Sequence, residues 1–186
     1  MWREVVGFSV VLWTAPIFSM DTTLMLYRPM TETSSHPIVE TLSKKSGACF
    51  GQSHLIKRED AWHCIADGKD YDPCFVKRFG SQLEALCLES PWSTRGVQIT
   101  VVKPLDNHLH ETLDMSQTLP WAIELADGEK CLAIESMESH DGLPVRYRCD
   151  TNTVLIGHIQ RCTSAWKTLK HNDQTVTTVA ISRAWF

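Results

Sequence analysis

Seven cysteines, none of them arranged as a Cys-x-x-Cys pair, constrain this chain more than any other feature. Cys49, Cys64, Cys74, Cys87, Cys131, Cys149 and Cys162 all lie beyond an apolar leader, and the two closest have nine residues between them. Zinc ribbons and thioredoxin-type redox sites need two-residue gaps, so this spacing argues against both. Thiols in this number fit a compartment that allows oxidation, and they read as a structural disulfide framework. Six paired cysteines admit many connectivities. Cys131 with Cys149 is the favoured pair, because these two fall in neighbouring hairpins, and closing a loop of that size contributes roughly 3 kcal/mol in the chain-entropy model. Cys49 with Cys64 and Cys74 with Cys87 follow as nearest neighbours in sequence. Cys162 is left unpaired, and is expected to be buried and inert because free cysteine is among the most buried residue types. Pairing with a second molecule is its alternative.

The leader, residues 1–20, has one basic residue (Arg3, offset by Glu4) and an uncharged apolar run from Val5 to Met20. The run is shorter than the roughly 18 apolar residues of a spanning helix and matches a signal peptide. Contact with a membrane is expected only through this leader, if it is retained. Removal leaves about 165 residues, enough for one domain with a substantial core. The formal net charge is −4, and the basic residues are dispersed. Nucleic acid is therefore not an expected partner, since phosphate binding needs a basic stripe. The doublet Lys57-Arg58, followed at once by Glu59-Asp60, reads as a solvated turn.

Residues 21–36 are polar and read as an irregular lead-in to a single disulfide-stapled β domain over residues 37–186. At its start, Pro37, the Ile38/Leu42 spacing, Lys44-Lys45 and Gly47 predict a short helix. Ser81-Gln82-Leu83-Glu84 has the spacing of a capping box and predicts a further helical turn near Cys87. From Val97 onward the pattern becomes strand-like. GVQITVVKPL is rich in β-branched residues, and apolar runs flank Asp127-Gly128, Asp150-Thr151-Asn152 and residues 171–174 as hairpins. The expected fold is mainly β: antiparallel hairpins forming a sandwich or small barrel, with one or two short helices. Residues 106–118 form the long, exposed connection.

The strings ACFGQSHLIKREDAWHC, YDPCF, PWAIELADGEKC and VRYRC, with a terminal AWF, together resemble a set of uncharacterised bacterial exported proteins with six cysteines. Arg58, Asp60, Ala61, Trp62, Cys64, Tyr71, Asp72, Pro73, Cys74 and Phe75 carry the match, followed by the segment from Pro120 and Trp121 to Cys131. The chain departs from that pattern at Phe50, where Trp is common, and at His63, where Arg is common. The resemblance implies export and pairing of six cysteines with Cys162 outside the scheme. It implies no activity.

Candidate site residues are sparse. In Tyr-Asp-Pro-Cys-Phe, Asp72 reads as a carboxylate capping backbone N–H groups beside a bridged Cys74. His108-x-His110-Glu111 has the residue types of a zinc or copper site, with His140-Asp141 or His158 as an outside ligand. It lies on a loop segment, where a solvated role is expected, so no metal or cofactor is assigned. No Gly-x-Ser-x-Gly elbow or HExxH frame occurs. Glu124, Glu135, Glu138 and Asp141 read as solvated carboxylates on hairpins. Among five tryptophans after the leader, Trp92 and Trp121 stand at strand entries and are the candidates for an exposed binding surface.

Three readings follow from these residues. The first is an exported, periplasmic or secreted, binding or envelope-associated module with an unknown protein or glycan partner. The second is a small extracytoplasmic hydrolase, which requires Asp72, His63 and one of His54 or His158 to meet in a cleft. A structural subunit of an envelope assembly is a third.

Overall fold

The computed structural model describes residues 21–30, 39–77, 82–172 and 174–186. The leader, residues 31–36 of the lead-in, and Pro37, Ile38 and Ser81 of the expected helices lie outside them. The described chain is all β with no helix, so none is long and apolar enough to cross a membrane. Thirteen strands are β1 (Thr23–Met25), β2 (Glu40–Gln52), β3 (Ala61–Ala66), β4 (Lys69–Val76), β5 (Glu84–Cys87), β6 (Arg95–Val101) and β7 (Ala122–Leu125), then β8 (Lys130–Ala133), β9 (Ser139–His140), β10 (Leu143–Cys149), β11 (Val154–Gln160), β12 (Lys167–His171) and β13 (Val176–Trp185).

Sequential antiparallel pairing closes these strands into two barrels. In the first, β2 to β6 form a five-stranded meander. An odd number of alternating strands leaves the first and last running the same way, and β2 does pair β6 in parallel. The second runs β7-β8-β10-β11-β12-β13, an even number, and β13 closes on β7 in antiparallel register. Each barrel is closed by one long strand that changes partner along its length. Residues 47–52 of β2 pair β3 while 40–47 pair β6, and Gly47 faces Ala66 on one side and Val101 on the other. A Cβ at Gly47 would sit 2.4 Å from the Ile65 carbonyl oxygen, so only glycine allows this approach. Along β13, residues 176–180 pair β12 and residues 181–185 pair β7.

Both expected helices are corrected to strands. Residues 40–47 belong to β2, whose exposure alternates with period two, and Leu42 is 65% exposed rather than sharing a buried helical face. Glu84 to Cys87 form β5, hydrogen-bonded between β4 and β6. β5 has a ladder on both sides and residues 40–47 have one along β6, and each supplies more backbone pairing than one isolated helical turn can. The lead-in is also more ordered than expected: β1 adds in parallel to the end of β13, and Tyr27 just after it is 1% exposed.

Three disulfides staple directly opposed residues: Cys49–Cys64 across β2/β3, Cys74–Cys87 across β4/β5 and Cys131–Cys149 across β8/β10. Cys162 is exposed, not buried, because it falls in the turn between β11 and β12. The bridges of each barrel lie inside it. Cys64, Cys74 and Cys87 pack with Trp62 and Ile99 in the first, and Cys131 and Cys149 with Tyr147, Leu155 and Phe186 in the second.

A third apolar cluster joins the barrels. Phe75 and Leu86 from the first meet Trp121 and Trp185 from the second around Tyr27, with Tyr27, Phe75 and Trp121 ring centroids 5.6–5.7 Å apart. Arg58 lies in this seam at 0% exposure, which corrects the solvated-turn expectation. Its guanidinium pairs with the buried Asp60 and donates to the main-chain oxygens of Tyr27 (2.6 Å) and Phe186 (2.8 Å). A buried charge persists only when paired and hydrogen-bonded, and here one side chain meets both conditions while riveting the two barrels. Burial at the seam also pushes the Tyr27 hydroxyl up to about 12.

Candidate functional site

Beside the seam, the two curved walls diverge into a groove of mixed polar and aliphatic lining. It consists of two contiguous hollows of about 660 and 690 Å³ that share His54, Leu55, Ala133, Ile134, Glu135 and Ser136. The first barrel supplies His54 and Lys57 from the β2–β3 loop, His63 from β3, and Asp70 and Asp72 from β4. The second supplies the segment after β8, including Glu135, Ser136 and Glu138, and Arg146 and Arg148 from β10. The long connection lines one end with Glu111 and residues 117–119. That connection is exposed over most of its length, as expected, yet it is tied to both barrels. Asn107 Nδ2 donates to the Glu59 carbonyl, and Arg161 donates to the carbonyls of Met115, Ser116 and Thr118.

Local chemistry fixes the first wall. The Ser53 hydroxyl, fully buried, accepts the N–H groups of Leu55 and Ile56 and donates to Asp72. The other Asp72 oxygen accepts the His54 N–H at 2.8 Å. This is the capping role expected of Asp72, although its carboxylate caps a loop 18 residues away rather than its own turn. Burial raises the Asp72 carboxyl above the ordinary carboxylate value, while the Ser53 hydroxyl, the His54 N–H and the two nearby imidazoles pull it the other way. Asp72 precedes Pro73 through a cis peptide, and the β3–β4 ladder shifts register here, between Trp62↔Cys74 and Cys64↔Tyr71. Pro73 has no N–H to give a ladder, so the irregularity falls where pairing would fail anyway. Opposite it stands His63.

Two imidazole–carboxylate pairs result. His63 Nε2 lies 3.0 Å from Asp70 Oδ1, and His54 Nδ1 lies 3.5 Å from Glu135 Oε1 across the groove. The two rings meet edge to face, centroids 5.2 Å apart. Such pairs can hold a proton, bind a cationic or hydrogen-bonding ligand, or share an ion. Ser53 is not a nucleophile here, because its hydroxyl is buried and already committed to Asp72.

Asp72, His63 and His54 therefore converge, whereas His158 stands exposed on β11 and does not line the groove. The tryptophan expectation is corrected at Trp121, which is 1% exposed in the seam. Trp92 is half-buried, its ring edge-on to Trp185 at 4.9 Å and under Lys130. Strand entries in this fold point at the neighbouring barrel, so these rings fill the seam instead of presenting a flat face. His108 and His110 do not form a ligand pair. His108 Nδ1 faces Asp106 at 2.8 Å, and His110 packs on Trp62 with Nδ1 3.1 Å from the Glu59 carbonyl oxygen. Burial lowers the His110 pKa from its ordinary value. Glu124, Glu135 and Glu138 face Arg183, His54 and Arg148 rather than one another.

Asp70 is absent from the residues expected at a site. Its signal was available: Asp70 and Asp72 are two apart in a β-branched-poor but strand-forming stretch, so alternation puts them on one face.

No family model, curated protein or solved structure matches the chain. The fold and the groove define its class as a disulfide-stapled protein of two small β-barrels, and three buried disulfides are typical of extracytoplasmic proteins.

Proposed function

We propose that this is an exported binding module, periplasmic or secreted, whose ligand site is the groove between the barrels. The observation that carries the reading is the pairing of a rigid first wall, held by Ser53 and Asp72, with a polar second wall from the other barrel. The apolar leader and the resemblance to bacterial exported six-cysteine proteins support the compartment. Between the partners considered, a protein segment fits better than a glycan. The groove lining is imidazole, carboxylate, guanidinium and aliphatic, and the tryptophans that would stack on sugar rings are spent in the seam.

The test is binding of the disulfide-intact chain to arrays of peptides and of glycans. Ser136→Trp, which fills the groove, should weaken peptide binding by more than about tenfold, or ~1.4 kcal/mol. Phe50→Ser alters a 68% exposed side chain outside the groove and should change nothing. Binding that survives Ser136→Trp and disappears with Phe50→Ser would refute the assignment.

The hydrolase reading keeps one observation in its favour, the convergence of Asp72, His63 and His54. Both Asp72 oxygens are committed to structural bonds, which weakens it. Turnover of chromogenic ester, amide or glycoside substrates that is abolished by His63→Ala would make it the better account.

A further inference from the structure

We infer that the two disulfides of the first barrel form one exchangeable unit of four sulfurs, in which a dithiol that attacks Cys49 also opens the buried Cys74–Cys87 bridge. Among the described residues, the sulfurs of Cys64, Cys74 and Cys87 all lie within 4.8 Å of one another. Cys74 and Cys87 are bonded to each other, while Cys64 belongs to the other bridge, so two separate covalent pairs meet at this point. The Cys131–Cys149 bridge of the second barrel belongs to no such group. Strand order accounts for the meeting. β3 runs between β2 and β4, so Cys64 is bonded to Cys49 on one side and has the β4–β5 bridge on the other. Barrel diameter shrinks with strand number, and five strands leave little interior in which to hold two bridges apart.

The four sulfurs differ in access. Cys64, Cys74 and Cys87 are buried, whereas Cys49 is half-buried and lines an open hollow of about 440 Å³ with Phe50, Val102 and Lys103. A thiolate from outside therefore meets Cys49 first. Exchange proceeds by attack of a thiolate on a disulfide sulfur. The dithiol's first sulfur bonds to Cys49, and the electron pair of the Cys49–Cys64 bond leaves on Cys64. The Cys64 thiolate turns about χ1, bonds to Cys74 and expels Cys87, or bonds to Cys87 and expels Cys74. The dithiol's second sulfur then displaces Cys49. The dithiol ends as a disulfide, having given the chain two electrons and two protons. Two bridges become one bridge and two thiols, the thiols at Cys49 and at Cys87 or Cys74. This unit is independent of what the groove binds.

The full chain carrying Cys162→Ser, which removes the one free thiol of the described residues, is treated under native conditions with one equivalent of dithiothreitol. Thiols are blocked with N-ethylmaleimide over a time course, and the bridges are mapped without reduction. Label should appear on Cys49 and on Cys87 or Cys74, together with a new bridge from Cys64. Label on Cys49 and Cys64 alone, with Cys74–Cys87 intact throughout, would overturn the inference. So would label on Cys131 or Cys149 at the same rate, because opening would then be general. Cys49→Ala/Cys64→Ala removes the entry and the internal attack. In it, opening of Cys74–Cys87 should slow by at least about tenfold, because the attacking thiolate is no longer held beside the bridge. An unchanged rate would equally refute the unit. Near-ultraviolet circular dichroism establishes that this variant is folded; if it is not, the map of the Cys162→Ser chain decides alone.

Discussion

Replacing Arg58 with methionine tests whether the two barrels are held as one cooperative unit. The guanidinium is 0% exposed, Asp60 beside it is 5% exposed, and the substitution removes every bond that Arg58 makes in the seam. The Phe186 oxygen keeps a donor, the Tyr27 N–H at 2.9 Å, but the Asp60 carboxylate loses its buried cation. Breaking a buried ion pair from one side costs about 3–5 kcal/mol, because the surviving charge is left without compensation. For a chain of this length that lowers Tm by about 10 °C. Arg58→Met/Asp60→Leu removes the stranded charge as well. It should recover part of the loss, because no charge is then left buried without its partner. The assay is urea unfolding without reductant, followed by tryptophan fluorescence, to which Trp121 and Trp185 in the seam contribute. A loss below about 1 kcal/mol for Arg58→Met, or a double variant less stable than the single by a further similar step, would refute the claim that this pair rivets the barrels.

Three further outcomes follow from the same geometry. Burial raises the Asp72 carboxyl, so the native state takes up its proton more readily than the unfolded chain; its contribution to stability is greatest at low pH and is lost as pH rises through its native value. Glu129 has the opposite sign: burial opposes its charge, but Lys170, Thr151 and Thr153 outweigh burial and hold its carboxyl low, so its contribution is lost as pH falls through its native value. Denaturation measured across the acid range should lose the first slope in Asp72→Asn and the second in Glu129→Gln. Iodoacetamide on the native chain should label Cys162 alone among the cysteines of the described residues, and Cys162→Ser should shift stability by less than about 0.5 kcal/mol. Cys131→Ala/Cys149→Ala opens a loop with a sequence separation of 18 and should cost roughly 3 kcal/mol by chemical denaturation.

What could be read from the sequence was local. The Asp127-Gly128 hairpin announces itself because glycine accepts the positive φ of 88° that the turn requires, and Asn152 serves the next hairpin at 62°. The three cysteine pairs were legible because neighbours in a meander lie opposite one another in space. The β2 strand was hidden for a physical reason. Its inward residues are Ser43, Lys45, Gly47 and Cys49, and its outward ones include Leu42 and Phe50, so the alternation of exposure has no matching alternation of hydrophobicity. Helix-like spacing then won by default. Arg58 looks solvated in the sequence because the main-chain oxygens it bonds, those of Tyr27 and Phe186, lie 31 and 128 residues away. The same blindness separates Asp70 and His63 from Glu135: each looks like a solvated group until barrel closure sets them on facing walls.

That placement follows from the way two closed barrels can touch. A barrel has no free sheet edge to offer, so it can bury apolar surface against another barrel only along a strip of its convex outer wall. The strip here is the Tyr27, Phe75 and Trp121 cluster, with Arg58 pinned in it. Two convex walls that meet along a strip must part on either side of it, and the wedge they leave has one wall from each barrel. The walls of this wedge differ in how they are held. His54 sits on a turn locked by the Ser53 and Asp72 hydrogen bonds, while Glu135 and Glu138 stand on the segment between β8 and β9, anchored to β10 by Ile134 N–H to the Arg146 carbonyl and Val145 N–H to the Glu138 carbonyl. On the proposed reading, a ligand entering the wedge meets a wall held by main-chain hydrogen bonds on either side. Neither barrel alone presents the groove, so the seam that fixes the two walls sets the geometry of the groove as well as forming part of the core.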